Sequence, residues 1–353
     1  MRQTPPMRRA QTQRTGNEWP AGWVERAPRS DDVDLILELV NARSQRLWGE
    51  SQATREGVEV FLSSPRLDPN ADVRLVLDQD DTLAGMAFVG NPGKPYADFP
   101  CPALSHPRYE EDAGHVDRLQ SWTLRRAHEL ATLASPDIRV VASAFVAAQD
   151  QVWRAALDRA GFRLVRVHNH MRIDLATLPA AAPWPAGITV RTAVIEQDLE
   201  AIVACREEAW RNHWGFVEQP FDQVLAERRE AIKAQGASFD PTLWFLAVDG
   251  DEIVGLSLCD DRIVDDRTRG YVNTLAVRPA WRKRGIALAL LHHTFAEFHR
   301  RGYAAVELDI DSQNLTGASR LCDRAGMRGV RQFVTYEKEL RPGIDLATRE
   351  LPA

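Results

Sequence analysis

The stretch with the clearest chemical content is Thr274-Leu275-Ala276-Val277-Arg278-Pro279-Ala280-Trp281-Arg282-Lys283-Arg284-Gly285-Ile286-Ala287. An apolar run breaks at a proline, three cations follow, then a glycine, then a segment rich in Ala and Leu. At a helix start the first backbone N–H groups have no partner inside the helix, and the dipole favours negative charge there. Gly285 lets the backbone approach an anion closely, and Ala287 keeps the first turn slim. Arg282, Lys283 and Arg284 add charge-assisted donors. Such a loop is an anion cradle, and a diphosphate is its natural occupant. Taken alone, a short basic run reads equally as a solvated face before an amphipathic helix. The order around it separates the two: strand, V-x-P, R-x-x-G-x-A, helix, strand, N-x-x-x-A-x-x-L.

The flanking elements are legible from periodicity. Gln197–Glu208 is helix-like, with Leu199, Ile202, Val203 and Cys205 toward one face. Leu243–Val248 and Glu252–Leu258 are apolar strands about the turn Asp249-Gly250-Asp251, a hairpin signal. Tyr271–Val277 is a third strand and Ile286–Arg300 a long helix. Ala304–Ile310 is a strand whose alternation puts Glu307, Asp309 and Asp311 on one face and Val306, Leu308 and Ile310 on the other. Leu315–Ala325 is a helix ending at Gly326, and Phe333–Leu340 is expected to close its own domain as a last strand. Strands before and between helices give a mixed α/β sheet.

The chain also repeats itself. Trp19-Pro20-Ala21-Gly22 recurs as Trp184-Pro185-Ala186-Gly187, Trp48-Gly49 as Trp214-Gly215, and Asp158-Arg159-Ala160-Gly161 as Asp323-Arg324-Ala325-Gly326. The offset is 165 or 166 residues throughout, too long for a solenoid repeat, so one whole domain is duplicated. The expected layout is a disordered tail over 1–18, a first domain over 19–177, an Ala- and Pro-rich linker over 178–186, a second domain over 187–341 and a tail over 342–353.

Composition sets outer limits. The 353 residues suit two ordinary domains. Lys plus Arg number 44 against 50 Asp plus Glu, a formal charge of −6, which argues against a general nucleic-acid binder. No run is long and apolar enough for a membrane helix, and the start is no secretory signal, so a cytoplasmic protein is expected. Cys101, Cys205, Cys259 and Cys322 are scattered, without zinc-site or disulfide spacing. His292-His293 lies mid-helix with no third ligand, so no metal is expected. His168 and His170 alternate on a strand, with no matching pair in the second copy.

Together these motifs resemble the GNAT superfamily (Gcn5-related N-acetyltransferases), whose R/Q-x-x-G-x-G/A signature stands here as Arg282-x-x-Gly285-x-Ala287. The second copy is covered almost entirely, the first more weakly. The resemblance implies two tandem domains similar to those of mycothiol synthase, each a mixed, mostly antiparallel twisted sheet flanked by helices. It implies acetyl transfer from acetyl-CoA to a primary amine of a small-molecule or peptide acceptor by direct attack. The alternative is a non-catalytic acyl-CoA sensor. The pyrophosphate would sit on the amides of Arg282, Lys283, Arg284, Gly285, Ile286 and Ala287. The strand holding Leu275, Ala276 and Val277 would splay from its neighbour and receive the pantetheine arm through backbone groups. Asn314 resembles a pantetheine-contacting residue and equally suits a helix N-cap.

For the proton transfers, the resemblance offers Asp309 as a base, provided that burial raises its pKa well above the ordinary carboxylate value. The general acid departs from the family pattern, because Cys322 stands where many relatives carry tyrosine; Tyr336 and Tyr271 are replacements. His213, Trp214 and Phe216 would line the acceptor side, and Asp260, Asp261, Asp265 and Asp266 would attract a cationic amine. In the first copy Glu110, Glu111 and Asp112 stand opposite Arg282, Lys283 and Arg284, charges that would repel a diphosphate. That copy is expected to keep the fold without the cofactor, either as a built-in partner in a monomer or within a homodimer.

Overall fold

The computed structural model describes residues 19–64, 66–236, 239–261, 268–312 and 317–349. The first half runs β1 (Val24–Arg26), α1 (Val33–Trp48), α2 (Arg55–Leu62), the single turn α3 (Pro69–Asp72), β2 (Val73–Leu77), β3 (Leu83–Phe88), β4 (Asp98–Pro100), β5 (Ala103–Ser105), α4 (Ala113–Leu130), β6 (Val140–Ala147), α5 (Gln151–Arg159) and β7 (Arg163–Asp174). The second half runs β8 (Ile188–Thr192), α6 (Ile195–Trp210), α7 (Phe221–Gln235), β9 (Trp244–Asp249), β10 (Glu252–Asp260), β11 (Arg269–Val277), α8 (Ile286–Arg300), β12 (Ala305–Asp311), α9 (Ala318–Arg324) and β13 (Arg328–Arg341). The fold is the expected one, mixed and mostly antiparallel sheets flanked by helices. Local chemistry sets several boundaries. α1 stops at Gly49, α8 starts at Gly285, and the β9–β10 turn passes through Gly250, each with positive φ. α8 buries Ile286, Leu290, Thr294 and Phe298, one face at helical spacing.

The strands form a four-stranded sheet, β1-β2-β3-β5, and a nine-stranded sheet, β4-β6-β13-β7-β12-β11-β10-β9-β8. The second order corrects the expectation that Phe333–Leu340 closes its own domain. β13 pairs with β6 of the first half, Thr335 opposite Phe145, while β7 of the first half pairs with β12 of the second, His170 opposite Asp309. Each half therefore gives its last strand to the other, and β7 and β13 meet at the seam. The apolar sides follow the exchange. Val334 and Tyr336 of β13 lie in the first half's core with Phe99, Leu157 and Phe162. Met171 and Ile173 of β7 lie in the second half's core with Phe295, Phe298 and Leu308. Burying each large apolar side chain contributes about 1.5–3 kcal/mol, so the exchange ties the halves together energetically.

The second departure is the C-terminal segment, expected as a free tail. After β13 it first bonds the first half, where the Ile344 amide donates to Asp137 O at 2.7 Å. It then reaches the second half, where Gly215 donates to Thr348 O and Thr348 to Phe216 O, both at 2.8 Å. Arg349 and Arg166 stand over the Trp214 ring, 4.6 and 4.5 Å from its centroid. The remaining tail residues, 1–18 and 350–353, lie outside the described residues.

Candidate active site

β11 stays paired with β10 as far as Val277, but pairs with β12 only from Arg269 to Tyr271. Beyond Tyr271 the parallel neighbours part, leaving a cleft along Val272–Val277. From Tyr271 to Val277 is roughly 20 Å of extended strand. At its far end the chain turns through Pro279–Trp281 and enters α8. Arg278 fixes that turn by donating from its amide to Val254 O at 2.9 Å and from Nε to Ile253 O at 2.8 Å. Trp281 Nε1 donates to Asp249 Oδ2 at 2.9 Å.

The start of α8 has no side-chain cap. Its first-turn amides therefore have no intrahelical partner, as the sequence implies. Lys283 (φ +62°) and Gly285 (φ +95°) are both left-handed. At Gly285 an added Cβ would meet nothing within 4 Å, so φ, not crowding, calls for glycine. Lys283 has no such freedom, and holding a non-glycine residue at positive φ costs on the order of 1–3 kcal/mol. Lys283 and Arg284 are exposed. Arg282 is corrected: its Nε donates to Val277 O at 3.1 Å and its Nη2 to Ala209 O at 2.6 Å, tying the loop to β11 and α6. Its guanidinium is a brace for the cradle. Asn314, Asp265 and Asp266 lie outside the described residues. Asp260 accepts from Asn273 Nδ2 at 3.3 Å, and burial raises its carboxyl.

Asp309 sits two residues past the last β11–β12 pair, at the mouth of the cleft. His170 Nδ1 is 2.7 Å from Asp309 Oδ1, and its Nε2 is 2.9 Å from Glu307 Oε2. Tyr271 Oη donates to Asp309 Oδ2 at 2.8 Å. Behind them Arg172 Nε lies 3.2 Å from Glu307, and Glu50 bridges Arg269 and Arg331. Burial works to raise Asp309, but the hydrogen bond and charge of His170 outweigh it and hold the carboxyl below its ordinary value. The condition for a neutral-pH base is therefore not met. Burial would lower His170, yet hydrogen bonds to Asp309 and Glu307 push it up to about 9. Burial and the Asp309 charge raise the Tyr271 hydroxyl, which stays a neutral donor. The group is a preformed ion cluster with one half-exposed carboxylate facing out.

The other acid candidates are corrected as well. Cys322 is buried in the second half's core, where burial pushes its thiol up to about 12. A thiol so weakly acidic cannot protonate a departing thiolate. Tyr336 is buried in the first half's core, its hydroxyl accepting from Arg154 Nε at 3.3 Å, and does not reach the cleft. Of the aromatic segment, His213 stacks on Trp210 and Trp214 stands between two guanidiniums. The residue missed by sequence is His170. Its alternation with His168 was visible, but only the strand exchange sets it opposite Asp309.

In the first half, Pro100 and Pro102 interrupt the strand that corresponds to β11. β4 pairs with β6 and β5 with β3, so a parting survives there too. The uncapped helix start does not. Asp112 caps α4 by accepting from Gly114 N at 2.9 Å, a built-in carboxylate where a phosphate would sit. Glu110 is buried and paired with Arg43 at 3.2 Å and Arg46 at 2.7 Å. Its charge is balanced by these arginines, which corrects the expectation that it would repel a diphosphate.

Residues 202–327, from α6 to the end of the last helix, match the family model described as Acetyltransferase (GNAT) family. The chain is 33% identical to a GCN5-related N-acetyltransferase from Sphaerobacter thermophilus, with a TM-score of 0.79 over 93% of this chain and 99% of that one. The chain belongs to this family. A tandem GNAT protein from the clavulanic acid biosynthesis pathway shares the fold, with a TM-score of 0.66 at 15% identity over 91% of this chain and 100% of that one. A mycothiol acetyltransferase from Streptomyces scabiei is 30% identical over 51% of this chain and 54% of its own length. The chain thus spans about half the length of the curated relatives it matches. As a tandem member of the GNAT family it has a second half with both the parting strands and the open helix start, and a first half with only the parting. Among the described residues no helix is long and apolar enough to cross a membrane.

Proposed function

We propose that this chain is an N-acetyltransferase that takes acetyl from acetyl-CoA held on its second half and delivers it to a primary amine lying at the seam. The observation that carries the reading is a coincidence on one strand: β11 parts from β12 at Tyr271 and leads, at its other end, into an uncapped, left-handed helix start. The pyrophosphate would accept from the amides of Lys283 to Ala287, with Lys283 and Arg284 balancing its charge. Leu275 and Val277 offer backbone groups to the pantetheine arm as to an added strand. The first half keeps the fold without the cofactor and serves as internal partner.

Bound there, the thioester supplies an activated acyl carbon. The neutral amine nitrogen attacks it, the C–N bond forms, the C–S bond breaks, the nitrogen gives a second proton to solvent, and the sulfur leaves with the electron pair and takes up a proton. Asp309, ionised and half-exposed, attracts the acceptor ammonium to the cleft mouth. His170 and Tyr271 fix the orientation of its carboxylate. Held below the ordinary value, Asp309 orients the amine, and the ammonium proton passes to solvent at the open face. Both His170 ring nitrogens and the Tyr271 hydroxyl are already engaged by Asp309 and Glu307, so solvent supplies the thiolate's proton too.

Calorimetric titration with acetyl-CoA tests the reading, followed by CoA release with a panel of amines. Binding is expected for the wild type and not for the double variant Arg284→Glu, Gly285→Asp. Asp309→Asn is expected to bind acetyl-CoA normally and to lose roughly tenfold or more in kcat/KM for amines. A wild type that does not bind acetyl-CoA would overturn the proposal.

A further inference from the structure

The parting in the first half forms a partly open cavity of about 180 Å³. Its walls are mostly apolar, among them Trp48, Leu104, Ala144, Trp153, Phe145 and Phe333, with Ser44 and Gln120 as neutral polar members. Its one cation, Arg43, is held between Glu110 and Asp150, so the interior offers no unbalanced charge to an anion. An apolar cavity of about 150 Å³ stays dry and accepts a benzene-sized guest.

The cavity leads toward the ion cluster. Phe145 is 52% exposed and stacks on Phe333, with centroids 4.9 Å apart and planes 15° apart. Phe333 in turn meets the His170 ring edge-on at 6.5 Å, and His170 bonds Asp309. By register, Phe333 lies two strands across and two residues along from Asp309, roughly 12 Å away. The strand exchange creates this path, because Phe333 and His170 each sit in the other half's sheet.

We propose that the first half's cleft has become the pocket for the apolar end of the acceptor, an aryl group carried about 12 Å or more from the primary amine that rests at Asp309. The inference rests on reading the Asp309 end as the place of acetyl transfer. It gives the first half a role in choosing the acceptor, with no need to bind cofactor.

The test uses the full chain and a phenylalkylamine series of increasing chain length, set against short alkylamines. The wild type is expected to prefer an intermediate phenylalkylamine in kcat/KM. Phe145→Ala, at an exposed position that folding tolerates, is expected to cut the ratio of aryl to short-alkyl kcat/KM about three- to tenfold. Ala144→Leu, which fills the cavity, is expected to cut the same ratio. A wild type without aryl preference, or a ratio unmoved in both variants, would overturn the pocket. If no amine is acetylated, the transfer reading fails on its own, and calorimetry with each phenylalkylamine of the series still decides the pocket. Binding kept in Gly285→Asp and weakened in Phe145→Ala upholds it; no binding to wild type refutes it.

Discussion

At Asp309 burial and ion pairing pull in opposite directions, and the histidine decides the outcome. His170 is protonated between two carboxylates, with its pKa raised from 6.5 to about 9. A raised folded-state pKa contributes stability that is fully present below about pH 6.5 and lost as the pH rises through about 9. At roughly 1.4 kcal/mol per unit, the contribution is at most about 3.5 kcal/mol. The urea midpoint of the wild type is therefore expected to fall between pH 6.5 and 9, and that slope should flatten in His170→Gln. An identical slope in the variant would assign the pH dependence elsewhere. The acidic members of this cluster were readable, because alternation along β12 puts Glu307 and Asp309 on one face whatever the strand pairs with. Their histidine was not, since nothing in residues 163–174 states which strand will lie beside them. Cys322 and Tyr336 fail as acids for a related reason: position in a motif says nothing of depth in a core.

The elements themselves were legible where their signals are local. Ile286–Arg300 is a helix over the expected range, and the hairpin turns at Gly250 as its sequence requires. The turn from β11 into α8 was legible in outline because strand, proline, cations and glycine are contiguous. Arg282 was misassigned because its partner, Ala209 O, lies on α6, far away in sequence. Strand pairing is the largest element-scale difference. Backbone hydrogen bonds accept any strand of matching register, so partner choice depends on side-chain faces and connections that no local pattern records. Tyr336 offers a direct check. It is near the C-terminus, yet 2% exposed within the first half's core. Tyr336→Ala is expected to cost about 3–5 kcal/mol in chemical denaturation. Hydrogen exchange should rise in β6 and α5 of the first half, and protection lost only around β12 would contradict the exchange.

Over the whole molecule, the two copies share a fold and differ at the helix start that follows the parted strand. The second half retains an open helix start; the first has filled its own with Asp112 and balanced Glu110 with arginines. Repeat offsets made the duplication plain, and charge reversal at 110–112 pointed to the lost cradle. The coupling of the halves was hidden, because it resides in a ladder nine strands wide that alternates between them.

That ladder makes the linker over 178–186 mechanically redundant. Cutting the chain there severs one covalent tie and leaves β7 hydrogen-bonded between β12 and β13, and β13 bonded to β6. A protease that nicks the linker is expected to yield two fragments on a denaturing gel and a single particle of unchanged size in solution, still binding acetyl-CoA. Fragments that drift apart under native conditions would contradict the pairing. The two halves are thus held less like beads on a string than like clasped hands, and the peptide between them is only the thread that brought them together.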